Sequence, residues 1–399
     1  MDWSRFGFEY RLDLAGFLPL LIRIEGRKEA AMNLYLPSEW KEGLDLPGRI
    51  RTIHGSTALE GNPLSETQVG QFLEGRIGLD PLSRDMRQIQ NADAAQEWVK
   101  RRFGPGKAPI RLEDILQMHE LMTRLSDETN NVPGHLRTHD VQVGTLEMGG
   151  VHVGAPYEDL PSLMTDFVYF VNSAQLKREH PVVRALLAHF FLVTIHPFGD
   201  GNGRVSRLVE AAILYEGGYN IHGFYGLSNY FYRNGDDYKK RLQECRRVQP
   251  FDMVPFVVFG LHGFEDELEG INNFIKTKMN RLVYRDTITN ALGQRVSKRR
   301  HLLNAREYQL LRFLLEETEP QDPFSEVPSE RIRLDDLVNS PYVRSTYRDV
   351  TNRTFRRELT RLAELGFIVF DHLPESGEYT VQIDFGAIER DFGYEPARE

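Results

Sequence analysis

The stretch from Pro181 to Gly218 does most to limit what this chain can fold into. Pro181 opens a run (Val182, Val183, Ala185, Leu186, Leu187, Phe190, Phe191, Leu192, Val193, Ile195) that is apolar on most sides, as a helix buried in a protein interior should be. Beyond His196-Pro197-Phe198-Gly199-Asp200-Gly201-Asn202-Gly203-Arg204, the residues Val205, Leu208, Val209, Ala212 and Ile213 repeat at helical spacing until Gly217-Gly218 stop the pattern. The intervening residues are therefore the turn of a central helix-loop-helix.

That turn carries a charge problem. Arg204 and Arg207 fall in the first turns of the second helix, where the macrodipole is positive and cations are disfavoured, so an anion is expected beside them. Gly201 and Gly203 leave backbone N–H groups uncovered, Asn202 adds an amide, and the helix start adds orphan donors, which together make a phosphate cradle. Arg204 and Arg207, three apart, share a face and can clamp one polyphosphate. Asp200 would repel that phosphate unless a divalent cation lay between them, which makes it a candidate Mg²⁺ ligand. His196, at the lip of the loop, suits proton abstraction near neutral pH. Phe198 points inward and pins the loop. Each feature alone has an ordinary structural explanation; their joint order is what carries the signal.

The run His196 to Arg207 resembles the complete signature of the Fic (filamentation induced by cyclic AMP) family, His-x-Phe-x-Asp/Glu-Gly-Asn-Gly-Arg-x-x-Arg, with every fixed position present. The resemblance implies transfer of AMP from ATP to a Ser, Thr or Tyr hydroxyl of a protein target or of the chain itself. It implies His196 as general base, Asp200 as Mg²⁺ ligand, Gly201, Asn202 and Gly203 as the anion hole, and Arg204 and Arg207 as binders of the β- and γ-phosphates. The kinase-like toxin branch departs from this signature within Gly-Asn-Gly-Arg, and this sequence does not, which favours nucleotidyl over γ-phosphoryl transfer.

Upstream, Pro47 is expected to open a helix that runs through Ile50, Ile53 and Thr57 to Glu60, where Gly61-Asn62-Pro63 ends it. Glu60 thus sits at the helix end that disfavours a carboxylate. Ser56-Thr57-Ala58-Leu59-Glu60-Gly61 is similar to the family's inhibitory motif, Ser/Thr-x-x-x-Glu followed by Gly or Asn. The resemblance implies that Ser56 and Glu60 are inhibitory, with Glu60 paired to Arg207 where the γ-phosphate should bind.

Val141-Gln142-Val143 and Val151-His152-Val153, separated by Gly149-Gly150, alternate as the strands of a β-hairpin should. In the family such a hairpin, the flap, holds the target segment by strand addition, which implies target positioning by Val141, Val143, Val151 and Val153. Arg137 is a further phosphate or loop contact. Asn229 and Tyr238 resemble the family segment that lines the nucleoside pocket. His119 reads as a core-edge residue of an amphipathic helix over Leu112 to Leu125.

The last hundred residues differ in pattern. Helical periods over Glu307 to Leu315, Leu334 to Val338 and Thr351 to Leu365, followed by strands Gly366 to Phe370 and Tyr379 to Ile383, suggest a winged helix. Between Arg344 and Arg361 there are six arginines and two acids, so the presumed recognition helix is basic and can contact DNA or a protein. The single cysteine, Cys245, cannot form an intrachain disulfide, and the early apolar stretch Phe17 to Ile24 is broken by Pro19 and Arg23, far short of the roughly 20 residues a bilayer needs. A cytoplasmic protein without membrane partners is the expectation, with homodimerisation open. The net charge of -9 opposes non-specific nucleic-acid binding over the whole surface.

The expected architecture is mainly α: residues 1–110 an N-terminal arm and inhibitory-helix region, 111–275 a Fic helical core with a β-hairpin flap, and 276–399 a linker and winged-helix-like domain. Two other readings stay open, namely removal of AMP by a water that Glu60 positions, and a DNA-binding regulator whose core senses nucleotide.

Overall fold

The computed structural model describes residues 2–13, 15–76, 83–125, 128–144, 150–219, 221–224, 226–297, 300–319, 331–373 and 377–390. The chain divides into two compact units, Met1–Asn272 and Asn273–Glu399.

Helices dominate the first unit: α1 (Leu18–Met32), α2 (Ser38–Ala58), α3 (Glu66–Leu73), α4 (Arg84–Arg102), α5 (Leu112–Thr123), α6 (Leu160–Asn172), α7 (Pro181–Ile195), α8 (Asn202–Glu216), α9 (Ser228–Arg233), α10 (Gly235–Cys245) and α11 (Val254–Gly293), within which the division falls. Two short strand pairs accompany them. β1 (Tyr10–Arg11) runs parallel to β4 (Phe251–Asp252), while β2 (Gln142–Val143) pairs antiparallel with β3 (His152–Val153). Val141 and Val151 precede these strands, and Gly149 of the expected turn lies outside the described residues.

α7 is the axis of the unit. Every residue from Val182 to Ile195 is buried, and Phe190 and Phe191 stack edge-on with Phe251. Phe6 and Phe8 of the N-terminal segment close the same aromatic cluster against Phe191. The all-round apolar sequence of α7 requires this position, since no face of it could be left in water.

Two expectations need correction. The expected N-terminal arm contains a full helix, Leu18–Met32, that buries Leu20, Leu21, Ile24 and Ala31. Pro19, which obscured it, lies in the first turn, where a missing N–H costs nothing. Pro47 does not open its helix but lies inside α2. An internal proline costs about 3 kcal/mol in an isolated helix; burial of Leu44, Gly48, Thr52 and Ile53 along α2 offsets it.

α2 reaches its neighbours through glycine. A Cβ at Gly48 would meet Gly223 O at 2.1 Å, and one at Gly55 would meet Asn229 Cα at 2.7 Å and Ser228 O at 2.8 Å. The two glycines, two helical turns apart, set α2 directly on the 221–229 backbone, and this fixes where its C-terminal end points.

In the second unit β5 (Arg295–Ser297) and β6 (Arg300–His301) pair antiparallel, and α12 (Ala305–Glu317) follows, held by a reciprocal Asn304/Glu307 capping box. Then come β7 (Arg331–Arg333), α13 (Leu334–Asn339), α14 (Pro341–Thr346), α15 (Asn352–Glu364), β8 (Ile368–Leu373) and β9 (Glu378–Ile383), the strands forming an antiparallel sheet in the order β7-β9-β8. Its core gathers Tyr284, Leu310, Leu314, Phe355, Leu359, Leu362 and Phe367. β7 and α14 lie beyond what the sequence reading expected; β7 is an arginine-flanked triplet too short to alternate visibly.

The glycine seam yields a stability prediction. Gly55→Ala should destabilise the first unit by about 1–3 kcal/mol, because backbone atoms would have to shift. Gly26→Ala, in an exposed and open stretch of α1, should be neutral or stabilise by up to about 1 kcal/mol. Urea unfolding of the two variants checks both.

Candidate active site

His196 ends α7 in the left-handed region (φ 56°, ψ 60°), its N–H donating to Leu192 O at 3.0 Å. Such a backbone is uncommon outside glycine. Gly201 (φ 80°) then starts α8, so the loop is bounded by a left-handed residue at each end. Between them Asn202 holds the shape: its Nδ2 donates to Phe198 O at 2.8 Å and its Oδ1 accepts from Phe198 N at 2.9 Å. The Asn202 amide is therefore committed within the loop, a correction to its expected place among the free donors of an anion cradle.

Phe198 points inward, fully buried and stacked on His119 with ring centroids 3.9 Å apart. His119 is more than a core-edge residue. Its Nδ1 accepts from Gly134 N at 3.1 Å, which places the proton on Nε2, facing Asn131 Oδ1 at 3.1 Å and Asp200 O at 3.2 Å. Asn131 Oδ1 also accepts from Asp200 N at 3.0 Å. Arg137 grips the other side of the loop, its Nε donating to His196 O at 2.8 Å and its Nη2 to Ala155 O; it serves the loop backbone.

The cations at the start of α8 both meet carboxylates. Arg204 Nη2 donates to Asp200 Oδ1 and Oδ2 at 2.8 and 2.7 Å. Arg207 donates from Nε to Ser56 Oγ at 3.0 Å, and from Nη2 to Ser56 O at 2.8 Å and Glu60 Oε1 at 2.9 Å. The two arginines thus face different partners and do not clamp one group together. Burial opposes ionisation of Glu60, but the Arg207 and Arg204 guanidinium groups outweigh it and hold the carboxyl below its ordinary range. Two buried nitrogens, Arg204 Nε and Arg207 Nη1, have no hydrogen-bond partner among the described residues. A Cβ at residue 203 would stand 2.2 Å from Glu60 Oε1 and 3.1 Å from Arg207 Nη1, so a side chain there would push the Glu60 carboxylate aside.

A cavity of about 170 Å³ joins Glu60, His196 and Gly203 to Val143, His152, Tyr238 and Arg246. His196 Nδ1 lies 3.3 Å from Val193 O and is its donor, which leaves the Nε2 lone pair available. Removal from water, reinforced by the charges of Arg246 and Arg137, pushes the imidazole down to about 4, so it is neutral at physiological pH. Tyr238 lines the cavity, while Asn229 does not; Asn229 is buried and donates to Glu267 Oε1 at 3.2 Å. Behind Tyr238 lies a buried relay absent from the sequence reading: His189 Nδ1 donates to Glu210 at 2.7 Å, and its Nε2 receives the Tyr238 hydroxyl at 3.0 Å. Arg246, which donates to Thr194 Oγ1 at 3.0 Å, was equally invisible, since a basic residue at a helix end has no distinguishing neighbour pattern. Val143, Val151 and Val153 are exposed at 36–49%, while His152 between them is buried and donates to Thr194 O at 2.7 Å.

Residues 109–214 match the Fic/DOC family. The chain carries a Fic domain. The protein adenylyltransferase Fic of Aedes aegypti is 37% identical over 171 residues, 43% of this chain and 33% of the relative; that of Culex quinquefasciatus is 31% identical over 198 residues, 49% and 38% respectively. The chain thus spans about a third of the length of these relatives. A Fic family protein from Desulfovibrio desulfuricans shares the fold over 95% of this chain and 98% of its own, with TM-score 0.56 and 22% identity. Fic-1 of C. elegans shares it over 66% of this chain, with TM-score 0.53 and 24% identity. The central helices and loop of the Fic domain are α7 and α8 with residues 196–201 between them.

The buried imidazoles give a pH prediction. Burial lowers His196 and His119 to about 4 and His152 to about 3, whereas each titrates near 6.5 when unfolded. The unfolded chain therefore binds more protons below about pH 6.5, and stability that is complete above that value is lost as pH falls toward about 4. The urea midpoint should decline across this window, and less steeply in His119→Asn, which removes one of the titrating groups; equal slopes would contradict the assignment.

Proposed function

We propose that the chain is a Fic-type protein adenylyltransferase, moving AMP from ATP to a hydroxyl of a protein target or of itself, and that its resting state is held back by Glu60. The observation that carries the reading is the Arg207–Glu60 ion pair, whose carboxylate lines a cavity together with a neutral His196. An incoming hydroxyl needs a base with a lone pair, and His196 Nε2 has one at neutral pH. The hydroxyl oxygen attacks the α-phosphorus of ATP, its proton passes to His196, and the bond to the leaving pyrophosphate breaks. Arg204 and Arg207 offer the unpartnered Nε and Nη1 to phosphate oxygens.

Asp200 suits Mg²⁺, which usually takes one or two carboxylates and completes its shell with waters and phosphate oxygens; no group of three ligating side chains exists among the described residues. When bound, the ion neutralises phosphate charge, and Arg204 would have to share Asp200 with it. The exposed Val143, Val151 and Val153 suit a flap that pairs with an extended target segment, while His152 anchors it. Tyr238 presents an aromatic wall for the nucleoside. The helix and strand order of the second unit resembles a winged helix.

With Arg207 on Glu60, the γ-phosphate loses a cation and meets a carboxylate, so the α-phosphate is held out of line. Each 1.4 kcal/mol is about tenfold in rate, and loss of such an ion pair is expected to raise transfer on the order of a hundredfold in Glu60→Gly. Arg207→Ala should be inactive with or without Glu60, and His196→Ala should bind ATP yet transfer nothing. Incorporation of label from α-labelled ATP with Mg²⁺ checks all four; equal labelling of wild type and Glu60→Gly sinks the inhibitory reading. Glu60 and His196 line one cavity, which also suits a water-mediated reverse reaction. Loss of AMP removal from a modified target in Glu60→Gly would favour that second reading.

A further inference from the structure

The second unit holds its charges in two different ways. Arg306, Arg312, Arg331, Arg333, Arg361 and Arg390 each face a carboxylate within 4 Å. The arginines of the outer face of α15 do not. Asn352, Arg353, Arg356, Arg357 and Thr360 are all exposed, at the i, i+1, i+4, i+5, i+8 spacing of one helical face, and Arg348 is exposed just before them. None of Arg348, Arg353, Arg356 or Arg357 has a carboxylate within ion-pair distance among the described residues. Of the two acids on the same helix, Glu358 is turned inward and buried, where it accepts from Arg306 at 2.7 Å and from the Tyr347 hydroxyl at 2.9 Å, and Glu364 is exposed at the last position, two turns beyond Arg357; Asp349 is exposed beside Arg348. From Asn352 to Thr360, α15 is thus sorted by charge: Glu358 is consumed on the core side, while Arg353, Arg356 and Arg357 stand bare on the other.

Bare cations repel one another, and four of them within three turns in a chain of net charge -9 call for an external polyanion. The face contains no exposed apolar or aromatic residue through Thr360, which removes the means of gripping a membrane or stacking unpaired bases. What it offers is one α-helix bearing guanidinium groups and an amide. That combination matches the major groove of B-form DNA, which admits a helix, is walled by phosphates and displays base edges that Arg and Asn can read; the deep, narrow major groove of RNA does not admit it.

We propose that the face of α15 formed by Arg353, Arg356 and Arg357, with Arg348 at its rim, binds double-stranded DNA, an activity separate from the chemistry at His196. Phosphate contacts set a salt slope of roughly 0.9 per cation, so four of them predict a slope near -3 to -4 and an affinity loss on the order of a hundredfold between about 50 and 200 mM salt.

The test is fluorescence anisotropy of a labelled mixed-sequence duplex of roughly 20 base pairs with the full chain, across that salt range. The proposal expects the stated slope, a fall in its magnitude of about 2 to 3 in the triple variant Arg353→Gln/Arg356→Gln/Arg357→Gln, and recovery of the slope in the matching Arg→Lys triple variant. Arg312→Gln/Arg333→Gln, which removes paired arginines, should bind as wild type does. Circular dichroism shows whether the variants keep their helix content, and the Lys variant keeps the outcome decisive if the Gln variant unfolds. No duplex binding at about 50 mM salt, an unchanged slope in the Gln variant that stays folded, tighter binding to single-stranded DNA or duplex RNA of the same sequence, or displacement of the duplex by an equal charge of polyglutamate would each overturn it.

Discussion

Two guanidinium groups at the positive end of a buried helix are the condition that the first unit has to satisfy. Arg204 and Arg207 are almost entirely out of water, and neither a helix N-terminus nor an apolar interior tolerates them unaccompanied. The fold answers by bringing carboxylates from both sides, Asp200 from the loop and Glu60 from the end of α2, with Ser56 supplying two more acceptors. Much of the surrounding architecture follows from delivering those groups. The glycine seam aims α2, while Asn202, His119 and Arg137 keep the loop in the shape that presents Asp200. The same condition leaves Nε and Nη1 unsatisfied, so the pairing is incomplete in a way that a phosphate would complete.

How much of this was legible in the sequence depends on whether the cause was local. The ends of α7 and α8 and the inward Phe198 could be read because periodicity and glycine are visible along the chain, whereas the juxtaposition of Glu60 with Arg207 rested on the resemblance of Ser56 to Gly61 to the family's inhibitory motif. α1 was missed because Pro19 looks like a breaker, though its position in the first turn makes it harmless. Pro47 misled in the opposite direction, because a proline inside a helix is tolerated only when tertiary packing outweighs it. His119, Arg246 and the Glu210–His189–Tyr238 relay are long-range arrangements whose partners lie many residues away. Asn229 shows the converse: an amide in a suggestive segment is turned to Glu267 and away from the cavity. Gly48 and Gly55 carried a readable signal, two glycines on one helix face, whose meaning is clear only with the 221–229 backbone against them.

The two units use ion-paired acids in contrasting ways. In the first, Glu60 remains 38% exposed on the cavity side, so the group that pairs with Arg207 is also in contact with whatever enters. In the second, Glu307 and Glu358 are buried and pair with Arg361 and Arg306, fastening α12 and α15 together. An acid left part-exposed can turn toward an incoming group; one that is buried and bonded to a second helix cannot turn without parting the two.

The backbone-to-backbone contact at Gly48 and Gly55 limits how α2 can move. Side chains at an interface can change rotamer and let one helix slide over another by small steps, but peptide planes in direct contact offer no such slack. A roll of α2 about its axis would drive neighbouring side chains into the Gly223 and Ser228–Asn229 backbone. Separation of Glu60 from Arg207 is therefore easier by rotation of the part-exposed Glu60 side chain than by a slide of the helix that carries it.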